Sequence, residues 1–174
     1  IIDKNKSIYT ATARGKFKNK EMIPTVGDKV QFDIIDDNKK TAVIEKIEPR
    51  INWIKRPKIA NITQIIFVVS MNNPKPDLLL LDKQLAFAEI HGLKSIIVLN
   101  KCDIADKDEI ESIADKYKKI GYEVIQAKAK QLVGIDELRE KLKNQISVFS
   151  GNSGVGKSTI INSLFDKNIT EEGQ

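Results

Sequence analysis

The nine residues Gly151-Asn152-Ser153-Gly154-Val155-Gly156-Lys157-Ser158-Thr159 constrain this chain more than any other stretch. They fit G-x-x-x-x-G-K-[ST], a loop whose glycines let backbone N–H groups turn inward around a phosphate. The flanks agree. Ile146-Ser147-Val148-Phe149 reads as a short buried strand, and Ser158 to Phe165 carries apolar residues at helical spacing. Strand, glycine loop and helix is the arrangement phosphate binding needs, because the helix N-terminus adds partial positive charge. Lys157 is the candidate catalytic residue, able to reach the β- and γ-phosphates, and the Ser158 hydroxyl is a candidate Mg²⁺ ligand. The bland alternative is an ordinary glycine-rich strand-to-helix turn. What is unusual is the position, near the end of 174 residues rather than near the start.

Upstream, strands and helices alternate. Ile62 to Ser70 is apolar and β-branched enough to be a strand buried on both faces. Helices are expected over 78–91, 106–120 and 135–143, and further strands over 95–99 and 123–126. This β-α-β-α pattern predicts a parallel sheet with helices on both faces. In such a sheet ligands bind beyond the C-terminal strand ends. The strand 95–99 runs into Asn100-Lys101-Cys102-Asp103, the N-K-x-D pattern. Its chemistry selects guanine. The Asp103 carboxylate can accept from the ring N1–H and the exocyclic amino group, and adenine offers neither there. The Lys101 stem can lie on the purine, and Asn100 can either bond guanine N7 or tether the phosphate loop. After strand 123–126, Ala129 and Lys130 fit the second base loop of GTPases, with Lys128 where serine is usual.

Residues 1 to about 55 show no helical period. Alternation over 8–14, 29–34 and 41–47, with polar turns between, suggests a small antiparallel barrel. Arg14-Gly15-Lys16-Phe17-Lys18-Asn19-Lys20 is a basic loop with an aromatic inside it. Such a loop can hold a phosphate backbone while Phe17 stacks on a base, or it is a solvated hairpin with Phe17 covering the barrel. Residues 48–61 read as a connector, with Trp53 as a core or interface anchor and a domain boundary near residue 60.

No apolar run is long enough to span a bilayer and no signal-peptide pattern opens the chain. The single cysteine, Cys102, excludes an internal disulfide framework and fits a reducing cytoplasm. The net charge of +5 is compatible with a nucleic-acid partner and does not require one. His91, alone at a helix end before Gly92, suits capping better than catalysis.

The order of motifs, base loops first and phosphate loop last, is that of a circularly permuted GTPase. With the N-terminal strands, the chain resembles the ribosome small-subunit-dependent GTPase A family. Arg14-Gly15-Lys16-Phe17, Val26-Gly27-Asp28-Lys29-Val30, Pro49-Arg50 with Asn52, Arg56-Pro57, Ala60-Asn61 and Leu81-Asp82-Lys83 carry the resemblance beside the two nucleotide motifs. It implies an α/β fold with an N-terminal OB-fold β-barrel (residues 1–58), contacting 16S rRNA through Arg14, Lys16, Phe17 and Lys18. A circularly permuted P-loop GTPase domain (61–174) would follow. It implies a Mg²⁺-dependent GTPase, binding GTP/GDP through Asn100, Lys101, Asp103, Ala129, Lys130 and Gly151 to Thr159. The family's activity is stimulated by the 30S subunit, whose late maturation it assists. A monomeric cytoplasmic protein is expected. The family also has switch I, a D-x-P-G segment and a C-terminal zinc domain. The natural protein is therefore expected to be longer, with Zn²⁺ in that domain, and residues 1–174 to bind nucleotide weakly and turn over little. Two alternatives stay open: a P-loop ATPase or phosphotransferase, and an RNA-binding module that uses nucleotide only as a structural ligand.

Overall fold

A computed structural model of the chain describes residues 1–15, 23–55 and 58–165. Its internal contacts divide the chain into two units, Ile1–Asn61 and Ile62–Gln174.

In the first unit, β2 (Val30–Asp36) and β3 (Thr41–Ile47) form an antiparallel pair. Asp36 sets the turn between them: its Oδ1 accepts from the Asn38 and Lys39 amides at 2.9 and 3.0 Å. β1 (Thr10–Ala13) lies on the other side of β3, and the pairing is parallel, with Thr10 opposite Thr41. The wholly antiparallel arrangement expected from alternation is thus not what forms. A two- to five-residue turn forces neighbouring strands antiparallel, and the long segment between β1 and β2 imposes no such rule. Tyr9, Ala42, Ile44 and Ile47 are buried here. Tyr9 also donates from its hydroxyl to Asp37 at 2.8 Å.

A two-stranded ribbon follows, β4 (Trp53–Ile54) against β5 (Ile59–Ala60). Ile54 is buried, but Trp53 is 45% exposed, so of the core and interface roles expected of it the core one is not taken up. Successive residues of a strand face opposite sides, and Ile54 holds the inward place.

The turn and connector around this ribbon are held by buried polar groups. Arg50 donates to both carboxylate oxygens of Asp28, from Nε at 2.7 Å and Nη2 at 2.9 Å, and also to the Ile23 carbonyl at 2.8 Å. The Asp28 side chain is 2% exposed. Asn61, also buried, accepts from the Ile51 amide at 2.8 Å and donates to the Gly27 carbonyl at 2.9 Å. Turn 25–28 and connector 50–61 are therefore one hydrogen-bonded piece. Removing one partner of such a buried pair costs about 3–5 kcal/mol, because it strands the other charge.

The second unit is a four-stranded parallel sheet in the order β8-β7-β6-β9. β6 (Gln64–Ser70) and β7 (Lys94–Asn100) are central and almost wholly buried, as two-faced apolar runs require. β8 (Glu123–Gln126) flanks β7, and β9 (Ser147–Ser150) flanks β6. β9 starts one residue later than the sequence suggests, leaving Ile146 41% exposed. The helices are α1 (Leu78–Ile90), α2 (Lys107–Lys119), α3 (Ile135–Leu142) and α4 (Lys157–Phe165). Asp77 and Asp106 cap α1 and α2, accepting from the amides three residues on at 2.9 and 3.0 Å.

Strand alternation sorts the core into two layers. Ile66, Val68, Ile96, Val98 and Ile125 pack with Ile135 and Leu138 of α3 and Ile160 and Leu164 of α4. The alternate residues leave by the opposite face, where α1 contributes Leu81, Leu85 and Ala88, and α2 contributes Ile110, Ile113, Ala114 and Tyr117. Each buried Val, Leu or Ile among these contributes about 1.5–3 kcal/mol. None of the described helices is long and apolar enough to cross a membrane.

Candidate functional site

All four strands of the second sheet are parallel, so the loops that follow them share one edge. The chain lays β6, β7 and β8 in one direction and then returns past β6 to place β9. That reversal between β6 and β9 is the switch point where parallel α/β sheets open a crevice. It brings the loops after β6, β7, β8 and β9 together although they are far apart in sequence.

The loop after β9 carries Gly151 to Gly156, and α4 begins at Lys157. Two glycines are obligatory for close approach. A Cβ on Gly151 would lie 2.3 Å from the Val68 carbonyl oxygen. At Gly156, φ is +98° and a Cβ would lie 2.3 Å from Asn100 Nδ2. Val155 between them is buried and pins the loop to the sheet. The Ile160 amide donates to the Gly156 carbonyl at 3.0 Å, which joins the loop to the first turn of α4. The Lys157 ammonium donates to the carbonyls of Gly151 at 2.8 Å and Asn152 at 2.7 Å, which curls it over the loop. Burial pulls its pKa below the ordinary lysine range. Thr159 faces the cavity described next, and Ser158 stands in the first turn of α4.

The loop after β7 holds Asn100 to Asp103. Asn100 is buried, with both ends of its amide occupied. Its Nδ2 donates to the Val155 carbonyl at 2.9 Å, and its Oδ1 accepts from the Ala129 amide at 3.3 Å. Of the two roles open to it in sequence, the structure gives Asn100 the tether. It ties the β7 loop to the phosphate loop on one side and to the β8 loop on the other. Lys101 turns left-handed, with φ 64°, and its ammonium donates to the Gly154 carbonyl at 2.7 Å and to the Asn73 carbonyl. Its stem therefore joins the β7 loop to the phosphate loop and to the loop after β6. Cys102 packs its thiol on the Leu99 carbonyl at 3.1 Å, and burial pushes that thiol's pKa up.

Asn100, Lys101, Asp103, Ala129 and Lys130 line one cavity of about 260 Å³ with Gly156 and Thr159. Asn73 and Ile104 complete its wall. Neither was visible in the sequence as a site residue, since each follows a strand end with no motif of its own. Ser163 of α4 donates to the Ala129 carbonyl at 3.3 Å, so the β8 loop is also held from the helix side. Lys128 takes part through its backbone, whose amide donates to the Val133 carbonyl at 3.1 Å. Asp103 is exposed, and among the described residues no three His, Cys, Asp or Glu side chains converge on a metal position.

Elsewhere, His91 caps α1: its amide donates to the Ala88 carbonyl at 3.1 Å, and its ring lies 4.1 Å from that of Phe87. Arg14 is ion-paired with Glu45 of β3 at 2.6 Å. Lys16, Phe17 and Lys18 lie outside the described residues.

The chain matches the family model for the RsgA GTPase over residues 47–174 and that for the RsgA N-terminal domain over residues 1–44. It is 43% identical over 173 residues to the small ribosomal subunit biogenesis GTPase RsgA of Clostridium kluyveri, covering 99% of this chain and 59% of that protein. To its namesake in Ruminiclostridium cellulolyticum it is 39% identical over 171 residues, covering 98% and 56%. The crystal structure of YjeQ from Thermotoga maritima superposes with a TM-score of 0.83 at 32% identity, covering 99% of this chain and 61% of that one. That of YloQ, described as a circularly permuted GTPase, superposes at 0.76 with 30% identity, covering 91% and 55%. The chain thus spans under six-tenths of the length of these two curated relatives.

Proposed function

Because this chain belongs to the RsgA GTPase family, we propose that it binds GTP and GDP, hydrolyses GTP, and acts in maturation of the 30S ribosomal subunit. In this reading residues 61–174 are the nucleotide domain and residues 1–58 the RNA-contacting one. The observation that carries it is the single cavity in which Asp103 and Ala129 stand beside Gly156 and Thr159, with Asn100 bonded to both neighbouring loops.

The residue types suit a purine nucleoside triphosphate in their chemistry. Asp103 accepts from the two donors on the guanine edge. The Ala129 amide, on a long bond to Asn100, has room to share its hydrogen with the guanine oxygen. Lys101 and Lys130 offer aliphatic stems to the base faces. At Gly151 and Gly156 the loop leaves no room for a side chain, and its amides, with those at the start of α4, are the candidate donors to the phosphates. Lys157 has three N–H donors, two of them on loop carbonyls, and the third can meet a γ-phosphate oxygen. In its partly dehydrated place that charge acts more strongly than it would in water. The Ser158 hydroxyl is the candidate Mg²⁺ ligand, and bound Mg²⁺ would neutralise charge on the β- and γ-phosphates. Arg14, Lys16, Phe17 and Lys18 are proposed contacts for 16S rRNA, with the small subunit as the stimulating partner.

Competition of labelled GTP with unlabelled GTP, ATP and XTP tests the base assignment. The wild-type chain should prefer GTP over ATP. Asp103→Asn should lose at least about a hundredfold in GTP affinity and favour XTP, because the amide donates where the carboxylate accepted. Unchanged guanine affinity would remove Asp103 from the site. Rates with and without 30S subunits then separate a stimulated GTPase from a module that keeps nucleotide as a structural ligand.

A further inference from the structure

The exposed tryptophan of the first unit has no part in that nucleotide site. Trp53 projects from the β4–β5 ribbon while its neighbour Ile54 fills the core. The ring is already oriented. The Arg50 guanidinium lies 5.9 Å from its centroid and is itself fixed by two bonds to buried Asp28. A side chain held this way has little rotational freedom left to lose on meeting a ligand. Around it the surface is both apolar and cationic. Ile51 is 83% exposed, and Lys55 and Lys58 are exposed and in no ion pair among the described residues. Residues 50–60 contain Arg50, Lys55, Arg56 and Lys58 and no acidic side chain.

The whole unit shares this bias. Fourteen of the 29 basic residues and eight of the 24 acidic ones fall in Ile1–Asn61, a net charge of +6. Fifteen and sixteen, a net charge of −1, fall beyond it. The chain's excess positive charge is therefore confined to the unit that presents the tryptophan. A flat ring flanked by lysines within a positive field suits a polyanion whose monomers have π-faces.

We propose that Trp53 is a stacking platform for an unpaired base of RNA, with Lys55 and Lys58 holding the adjoining phosphates. This rests on the reading that the protein contacts RNA, and it adds a site separate from the basic loop 14–20. A peptide partner would exploit the apolar surface of Trp53 and Ile51 but would leave the lysines without a counterpart.

The test uses a property of the sequence: Trp53 is the only tryptophan among the 174 residues. A short single-stranded oligoadenylate carrying a dye is titrated with the 174-residue chain. Anisotropy reports binding, and Trp53 emission reports stacking. Quenching should follow the anisotropy over the same concentrations. Trp53→Ala should weaken binding about tenfold, the worth of one stacked base, while Trp53→Phe keeps most of it. Lys55→Gln with Lys58→Gln should flatten the salt dependence by about one unit of slope. The exposed ring makes Trp53→Ala a folding-neutral change, checked by an unchanged melting temperature. If RNA binds with no change in emission and Trp53→Ala binds as tightly, the platform is wrong and the broader RNA reading stands. If no RNA binds, both fall. If protein-free RNA leaves emission unchanged while RNA-free small-subunit proteins quench it, the surface belongs to a protein partner and the proposal is overturned.

Discussion

At the residue scale, Asn100 decides the geometry of the site more than any group that would touch a ligand. Its carboxamide is the right size and polarity to donate to one loop and accept from another. Aspartate could accept but not donate, and would set a buried carboxylate against the Val155 carbonyl. Asn100→Ala should leave that carbonyl and the Ala129 amide unpaired, costing about 2 kcal/mol of stability and loosening both loops. Gly156→Ala attacks the same contact from the other side, since its new Cβ would occupy the place of Asn100 Nδ2. Chemical denaturation of the two single variants and the double variant checks this. The costs should fall well short of adding, because the second change finds the bond already broken. Asp103, by contrast, is exposed, and its substitution should alter base preference with little effect on stability.

At the element scale, Glu123 at the start of β8 ties three elements together. It pairs with Lys94 of β7 at 2.8 Å and with Lys141 of α3 at 2.7 Å. The hydrogen bond from Lys141 and then that from Lys94 hold its carboxyl below the ordinary glutamate range. A carboxylate with a depressed folded-state pKa contributes stability above its unfolded value, 4.5, and loses it as pH falls through the lower folded value. All three side chains are more than a third exposed, so solvent screens the effect. Glu123→Gln should therefore lower the melting temperature slightly at pH 7 and make the wild type and variant converge in acid, read by thermal melts across pH. High salt should narrow the same gap.

At the scale of the whole molecule, the candidate site is assembled from four loops spread between Asn73 and Thr159, held on one sheet edge. Binding there should stabilise the unit by mass action, by about 2.7 kcal/mol at a hundredfold excess over Kd. GDP with Mg²⁺ should raise the melting temperature, and ATP at the same concentration should not. Hydrogen exchange should slow in residues 100–103, 127–131 and 151–159 together, since Asn100 links all three. Slowing in 151–159 alone would mean that phosphates bind without the base loops. The sequence by itself determined the helices and parallel strands of residues 62–165, because periodicities of 3.6 and 2 and the capping aspartates are local. It also determined the phosphate and base motifs, because a glycine loop after a buried strand and N-K-x-D at a strand end carry their chemistry in their residue types. Only the tertiary structure decided that Asn100 is a tether, that β1 pairs parallel with β3, that Asp28, Arg50 and Asn61 form one network, and that Trp53 faces outward. Each of these is a contact between residues distant along the chain, and no local pattern of apolar and polar residues encodes which distant group fills a given hydrogen bond or which side of a two-residue strand meets the core.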